Sequence, residues 1–311
     1  MRFAVYLCKK IAVTIFLLLG ITFITFSLTR ALPGDPALAL VGQRASPQVI
    51  AAIRKQIGAG RPFMVQYLDY VRMLSRGQMG RSYTTRQEVL KGIEEKFPNT
   101  VKLALAAMLI AAPLGAGLGF WGAIKRGTRT DIFLSSVSIA GISVPVFFSG
   151  LLLMLFFSLQ LKLVPPSGTG GLRFLLLPAV TLALPSAATL ARVSRTMVLD
   201  IMDMPFVRTA RAKGIREWRV LAIHILRNAL IPIVTVMGLD FGSYLNGAVL
   251  TETIFGWDGI GRYAVDGIMR RDYPVVLGTI LVGTTVFIVV NMMVDIAYHV
   301  LDPRVRVLIK K

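Results

Sequence analysis

The residues best suited to specific contacts are the cations of one basic segment, residues 203–232. Between Asp203 and Arg227 the sequence holds six cations and only two carboxylates, those of Asp203 and Glu217. The six cations are Arg208, Arg211, Lys213, Arg216, Arg219 and Arg227. Their chemistry is ion pairing, either with anionic lipid or with an acidic partner surface. Because apolar runs flank the segment on both sides, the positive-inside tendency predicts that it lies in the cytoplasm.

Local chemistry predicts that this segment begins as a short helix. Alanines and basic residues favour a helix between Pro205 and Gly214. Pro205 suits the first helical turn, and Asp203 is the predicted N-cap. Gly214 can end the helix in the left-handed backbone conformation. A second amphipathic run follows, from Trp218 to Leu226.

A second candidate is a carboxylate inside the apolar run 230–250. Burying Asp240 at that depth costs at least ~2.5–3.5 kcal/mol, so it should face protein or a water-filled path. Gly238 and Gly242 flank it and are predicted to leave room around the carboxylate, and Asn246 is predicted to line the same general side. Two roles stay open. Asp240 either lines a path and favours a positively charged group, or is a structural carboxylate bonded to a neighbouring helix or subunit.

The sequence carries no recognisable catalytic, nucleotide-binding or metal-binding pattern. There is no GxxxxGK[ST] phosphate loop, and neither a Ser/His/Asp arrangement nor a carboxylate pair stands out. The single cysteine, Cys8, cannot form an intrachain disulfide. The two histidines, His224 and His299, are far apart in sequence. We therefore predict that the chain is not an enzyme and that it binds no metal or cofactor itself.

Composition indicates an integral membrane protein. The chain has 311 residues, of which 55% are hydrophobic and 16% charged, and its mean hydropathy is +0.67. The net charge of +19 would suggest a nucleic-acid partner in a soluble protein. No DNA- or RNA-binding motif accompanies it. In a membrane protein the same excess of cations is expected where loops meet anionic lipid.

The fold class predicted is an all-α integral membrane protein with six transmembrane helices. Apolar runs of about 18 residues or more mark such helices. The predicted spans are residues 11–28, 99–124, 131–161, 174–199, 230–250 and 275–300. Pro145 is predicted to kink the third span, and Pro178 and Pro185 are predicted to break the fourth. Small residues on one face of the second span, Ala111, Gly115 and Gly119, are predicted to serve helix packing.

Charge asymmetry predicts the topology. The predicted cytoplasmic segments are richer in Lys and Arg than the two short outer loops, residues 162–173 and 251–274, so both termini are predicted to be cytoplasmic. The first run is longer than a signal-peptide core and lacks a small-x-small cleavage site, so it is predicted to stay uncleaved. Residues 31–98 are polar enough to leave the membrane as a periplasmic insertion. The chain therefore divides into residues 1–98 and a core of five spans, 99–311, with a loop at 203–229.

The run Arg208-Thr209-Ala210-Arg211-Ala212-Lys213-Gly214 resembles the EAA…G loop of ABC importer permeases, in its oligopeptide/dipeptide form. Arg208 stands where the name-giving Glu would be, and Thr209 replaces the first Ala. Three further motifs are similar to the same family, and the likeness extends from Pro33 to Arg306. They are Pro33-Gly34-Asp35-Pro36, the aromatic and Gly-rich run Phe255-Gly256-Trp257-Asp258-Gly259-Ile260-Gly261-Arg262, and Arg271-Asp272-Tyr273-Pro274.

The resemblance implies a permease subunit that imports di- or oligopeptides across the bacterial inner membrane. In the family the short helix docks into a groove of a cytoplasmic ATPase, which holds the ATP and Mg. The residues this assigns to coupling are Phe206, Arg208, Thr209, Ala210, Ala212, Lys213 and Gly214. The implied partners are a second homologous permease, two ATP-binding subunits, an extracytoplasmic substrate-binding protein and membrane lipid.

Alternatives remain at this level. The basic helix could instead lie on anionic lipid, and relatives with this architecture import nickel or glutathione. A secondary transporter often shows inverted repeats, and this sequence shows no such repeat. A channel is expected to show a filter sequence or a polar ring, and this sequence shows neither of these features. An intramembrane enzyme needs clustered polar residues within the spans, and the chain offers too few.

Overall fold

The computed structural model describes residues 2–31, 45–56, 60–246 and 248–301. Regular structure in these ranges is helical, apart from one isolated antiparallel bridge between Arg81 and Glu88. The motif at 33–36, Gly247 and the tail from residue 302 lie outside them. The α-helices are α1 Arg2–Ala31, α2 Pro47–Gln56, α3 Phe63–Ser75, α4 Val89–Ile124, α5 Arg129–Ser143, α6 Val146–Leu153, α7 Leu172–Met202, α8 Pro205–Ala212, α9 Glu217–Arg219, α10 Arg227–Leu245, α11 Val249–Ile254, α12 Ile260–Met269 and α13 Tyr273–Leu301. Two π-helical segments continue them: Met154–Gln160 follows α6, and Val220–Leu226 joins α9 to α10.

Six membrane spans are compatible with these helices. Four helical stretches are long and apolar enough to cross a membrane: Ala12–Arg30, Val89–Ile124, Leu172–Met202 and Tyr273–Ile296. Two bent pairs, Arg129–Ser143 with Val146–Gln160 and Glu217–Leu230 with Pro232–Leu245, raise the number to six if each pair crosses as one. The all-α membrane fold class is thus confirmed.

The prolines act differently in the two spans that contain them. Between α5 and α6 the chain bends by 100° at Val144 and Pro145, so the predicted kink is confirmed. The predicted break of the fourth span is wrong, because α7 runs without interruption through Pro178 and Pro185. Each proline removes one backbone donor. Helices packed against α7 stabilise it along most of its length, which is how membrane helices tolerate such residues.

The chain forms two compact units, Met1–Thr100 with Asp258–Ile288 and Val101–Trp257 with Val289–Lys311. In the first unit, α1 packs on α3 through aromatic rings. Phe26 stacks on Tyr70 with ring centroids 5.6 Å apart, and Phe23 meets Tyr67 edge-on at 5.2 Å. The Tyr67 hydroxyl also lies 3.2 Å from Thr22 Oγ1.

In the second unit α7 is the central helix, with α4, α5, α6 and α10 around it. Gly115 and Gly119 of α4 face α7, as the small-residue pattern predicts. A Cβ on Gly115 would lie 2.6 Å from the carbonyl oxygen of Ala187, and one on Gly119 would lie 2.7 Å from the Cβ of Ser194. These glycines therefore let the two backbones approach closely.

Candidate coupling helix and intramembrane carboxylates

Helix α8 carries the predicted coupling residues and is short, covering Pro205–Ala212. Pro205 occupies its first turn as predicted, but the predicted N-cap is wrong. The cap residue is Met204, which has extended backbone and no side-chain cap bond. Asp203 instead ends α7, and its carboxylate lies 3.5 Å from Arg126 Nη1. Because α7 continues through Met202, Asp203 is its C-cap, and the next residue, Met204, takes the N-cap position of α8.

The two faces of α8 differ sharply. Val207 and Ala210 are 0% and 5% exposed and belong to the apolar core of the second unit. Phe206, by contrast, is 39% exposed although it is a large apolar side chain. The remaining predicted coupling residues are also exposed: Arg208, Thr209, Ala212, Lys213 and Gly214. Ala210 is thus an anchor of the helix, while the other six present a surface.

The end of α8 is fixed by backbone hydrogen bonds around Gly214. The Gly214 N–H donates to the Arg211 carbonyl at 2.9 Å, and the Ile215 N–H donates to the Ala210 carbonyl at 3.3 Å. This pair of bonds is a Schellman motif, which needs a left-handed residue at Gly214. Its φ is +74°, so the predicted closing conformation is confirmed.

A bidentate ion pair joins α8 to α9. Arg211 donates from Nη2 to Glu217 Oε1 at 2.7 Å and from Nε to Glu217 Oε2 at 3.2 Å. These hydrogen bonds to Glu217 raise the pKa of the Arg211 guanidinium. Nearby, the guanidinium of Arg219 lies 5.2 Å from the ring of the exposed Trp218. The anions of the segment are thus paired, and its exposed surface is positively charged.

Asp240 lies in the C-terminal half of α10 and is half-buried. The hydroxyl of Ser186 on α7 donates a hydrogen bond to Asp240 Oδ2. Asn246 is exposed and ends α10, with its N–H bonded to the Gly242 carbonyl at 3.1 Å. The prediction that Gly238 leaves room around Asp240 is wrong. Two residues along a helix turn the chain by about 200°, so Gly238 faces away, where an added Cβ would collide with Val294.

A buried bidentate ion pair of the second unit was missed by sequence reasoning. Asp131, only 5% exposed, accepts hydrogen bonds from Arg195 Nε at 2.6 Å and Nη2 at 2.8 Å. The Gly127 N–H donates to its Oδ2 at 3.0 Å. Asp131 sits in the first turn of α5, after the N-cap Thr128, and Arg195 near the end of α7. In the sequence, the only indication of this ion pair was that Asp131 begins one predicted span and Arg195 lies near the end of another.

Two motifs noted in the sequence have structural roles in the first unit. Asp272 accepts from the Ser82 hydroxyl at 2.5 Å and from the backbone N–H groups of Tyr83 at 2.9 Å and Thr84 at 3.0 Å. It therefore binds the turn before α4 to the start of α13. Asp258 accepts from Lys96 Nζ at 2.6 Å.

Comparison with known proteins gives the class. Residues 115–307 match the family described as binding-protein-dependent transport system inner membrane component, and residues 2–104 match the N-terminal part of the corresponding membrane component. The chain belongs to this family. It is a multi-pass membrane protein and a permease subunit of an ABC importer rather than a catalytic subunit, so the resemblance to importer permeases is confirmed.

Among its relatives are peptide transporter subunits. The chain is 42% identical to the di/tripeptide transport system permease protein DppB of Pseudomonas aeruginosa, over 97% of this chain and 98% of the relative. It is 34% identical to the dipeptide transport system permease protein DppB of Escherichia coli K12, with the same coverage of each chain.

Solved structures agree on the fold. The MetNI methionine ABC transporter, in inward-facing conformations, matches with a TM-score of 0.60 at 14% identity, over 68% of this chain and 97% of that chain. An amino acid ABC transporter crystallised with histidines matches with a TM-score of 0.52 at 15% identity, over 68% and 92%.

Proposed function

We propose that this chain is the translocation subunit of an ATP-driven importer that carries small peptides across a bacterial inner membrane. The family assignment and the peptide transport named for the relatives support this proposal. The structural observation that carries it is the two-sided helix α8. One face is buried in the core of the second unit, and the other presents Phe206 among exposed cations.

Helix α8 is built to transmit motion. Its buried residues, Val207 and Ala210, belong to the same apolar core as Leu190 and Val198 of α7. A displacement of α8 by a partner therefore moves a membrane-spanning helix, because a close-packed core does not absorb shifts of this kind. The partner is a cytoplasmic ATPase, which binds the ATP and Mg. Its closure and opening select between two arrangements of the spans.

The assembly follows from this division of labour. The chain pairs with a second homologous permease, two ATP-binding subunits and an extracytoplasmic binding protein. Both termini lie in the cytoplasm, together with the segment 203–229, and residues 31–98 lie outside. The excess of Lys and Arg in the segments assigned to the cytoplasm supports this orientation.

Asp240 lines the translocation path and favours a positively charged group, such as the amino terminus of a peptide. Its bond to Ser186 occupies one carboxylate oxygen and holds the side chain on the α7 side of α10. Replacement by asparagine keeps the shape and removes the charge. We expect Asp240→Asn to reduce uptake of cationic peptides more than that of acidic peptides, with assembly unchanged. Equal uptake across substrate charges would make Asp240 a structural carboxylate.

The proposed function is tested by reconstitution. The chain, a homologous permease and two ATPases are placed in proteoliposomes with a binding protein, and ATP-dependent uptake of labelled dipeptides is measured. Nickel and glutathione serve as competing substrates. We expect dipeptide uptake, and no ATP hydrolysis by the lone chain. Substantial hydrolysis by the lone chain, or uptake of nickel or glutathione without peptides, would refute the proposal.

A further inference from the structure

A cavity with a mixed polar and apolar lining lies within the first unit, among α1, α3, the turn before α4 and the start of α13. Its volume is about 330 Å³, which lies at the lower end of the range found for small-molecule sites. It belongs to neither the coupling helix nor the carboxylates of the second unit. Under the topology proposed above it opens on the outer side of the membrane.

Three arginines contribute to the lining of the cavity. Arg30, Arg61 and Arg81 all line it. Arg30 lies over the ring of Phe26, with its guanidinium carbon 5.4 Å from the ring centroid. Arg81 lies 3.8 Å from Glu88 with both side chains largely exposed, which is a weak pairing. Two guanidinium groups are therefore available to a carboxylate, for which arginine offers paired donors.

Hydrogen-bond acceptors line the same cavity. Asp69 is paired with Arg61 at 3.1 Å, again with both groups well exposed, so the contact opens at little cost. Gln66 donates from Nε2 to the Arg61 carbonyl at 2.6 Å, which leaves its Oε1 buried with no hydrogen-bond partner among the described residues. An orphan acceptor of this kind, in a cavity that a carboxylate also lines, suits an ammonium or amide N–H group.

The buried hydroxyl of Tyr70 is the second orphan group. Tyr70 is 8% exposed, and its hydroxyl has no partner within the described part of the chain. Burial raises the pKa of this phenol, so it stays neutral and can donate as well as accept. A buried polar group without a partner is destabilising, and native proteins keep few of them without a reason. Its ring stacks on Phe26, which lines the cavity together with the apolar side chains of Met73 and Leu277.

We propose that this cavity is a binding site for a zwitterionic dipeptide. The peptide carboxylate binds Arg30 and Arg81, the ammonium group binds Asp69 and Gln66 Oε1, and an apolar side chain packs on Phe26. The identification of the ligand as a peptide rests on the proposed function. The cavity is lined by cations, acceptors and apolar side chains together. A simple anion would leave the acceptors unused, so this lining favours a zwitterion.

The test measures binding to the full chain in phosphatidylcholine nanodiscs by equilibrium dialysis. The probes are L-alanyl-L-phenylalanine, its C-terminal amide and its N-acetyl form. We expect each modified form to bind about tenfold more weakly, because each loses a charge-assisted bond. Equal binding of the three forms, or no binding of the zwitterion, would overturn the proposal.

Variants locate the binding to this cavity. Arg30→Gln should weaken binding of the zwitterion about tenfold and reduce the difference in affinity between the acid and the amide, with Arg81 retaining part of it. Tyr70→Phe keeps the stacked ring, so it preserves folding, and should weaken binding several-fold. Arg72→Gln is the matched control, because Arg72 is an exposed cation of α3 that does not line the cavity. Equal effects of the Arg30 and Arg72 changes would place the binding elsewhere.

Added phosphatidylglycerol distinguishes a peptide site from a lipid site. If this lipid displaces the dipeptide at low mole fraction and binds in an Arg30-dependent manner, the cavity is a headgroup site and the proposal is wrong. The assay involves no ATPase, so it is independent of the proposed function. If the assembled transporter takes up peptides but the cavity binds none, only the cavity proposal is refuted. If the cavity binds the dipeptide but the transporter takes up no peptide, only the proposed function is refuted.

Discussion

Two bidentate ion pairs in the second unit have nearly the same geometry and different surroundings. Asp131 and Arg195 meet at 2.6 and 2.8 Å, with side chains 6% and 31% exposed. Arg211 and Glu217 meet at 2.7 and 3.2 Å, with side chains 37% and 56% exposed. The first pair joins α5 to α7, and the second joins α8 to the short helix α9. Burial, rather than hydrogen-bond geometry, therefore decides how much each pair contributes to the fold.

Removing one partner of the buried pair should have the largest effect on stability. Asp131→Asn leaves the Arg195 guanidinium without its counter-charge, and breaking a buried pair costs about 3–5 kcal/mol. Because Arg195 is partly exposed, we expect a loss of about 3 kcal/mol, at the lower end of that range. Denaturant unfolding in detergent measures it. The double variant Asp131→Asn with Arg195→Met should recover part of the loss, and a double variant no better than the single would contradict a specific pair.

Substitutions on the exposed face of α8 should impair function rather than stability. Phe206→Asp changes a side chain that makes no contribution to the apolar core, so the unfolding free energy should change little. Affinity for the ATPase should fall at least 30-fold, about 2 kcal/mol, as for a central interface anchor. Binding of the purified ATPase measures this, with Phe206→Leu as the apolar control. Normal docking and transport by the aspartate variant would leave α8 as a lipid-surface helix.

Substitutions of Gly214, at the end of α8, should have an effect of intermediate size. Gly214→Ala should destabilise α8 by about 1 kcal/mol, because an L-residue is strained in the left-handed conformation. No atom of the described residues lies within 4 Å of the added Cβ, so the cost is conformational only. Reduced coupling of ATP hydrolysis to uptake is the readout. Gly214→Asn should be milder, since asparagine tolerates this conformation better, and the reverse order would exclude the Schellman explanation.

Breaking the exposed pair should have the smallest effect and sharpens the comparison most directly. Glu217→Gln should cost about 0.5 kcal/mol at low salt, the value typical of solvent-exposed pairs. The cost should shrink further at high ionic strength, because exposed charges are screened. The loss caused by Asp131→Asn should depend much less on salt. Unfolding curves for both variants at low and high salt test this, and equal salt dependence would contradict the role assigned to burial.

The sequence by itself determined the features that depend on local chemistry. Apolar run lengths predicted the membrane helices, and small-residue spacing predicted that Gly115 and Gly119 serve close helix packing. The coupling helix was predicted from Pro205 and Gly214, since a first-turn proline and a left-handed glycine constrain the backbone wherever they occur. The family resemblance rested on four short motifs, all of which can be read without knowing any contact.

Only the tertiary structure decided which residues meet. The partners Asp131 and Arg195 are 64 positions apart, and no local pattern links them. Proline chemistry alone predicted a break in α7, whereas packing kept that helix continuous. The N-cap assigned to Asp203 failed because the preceding helix extended further than its apolar run. The faces of α8 were likewise set by the core, which buries Ala210 and leaves Phe206 exposed. Burial depends on contacts between distant segments, and local sequence does not contain that information.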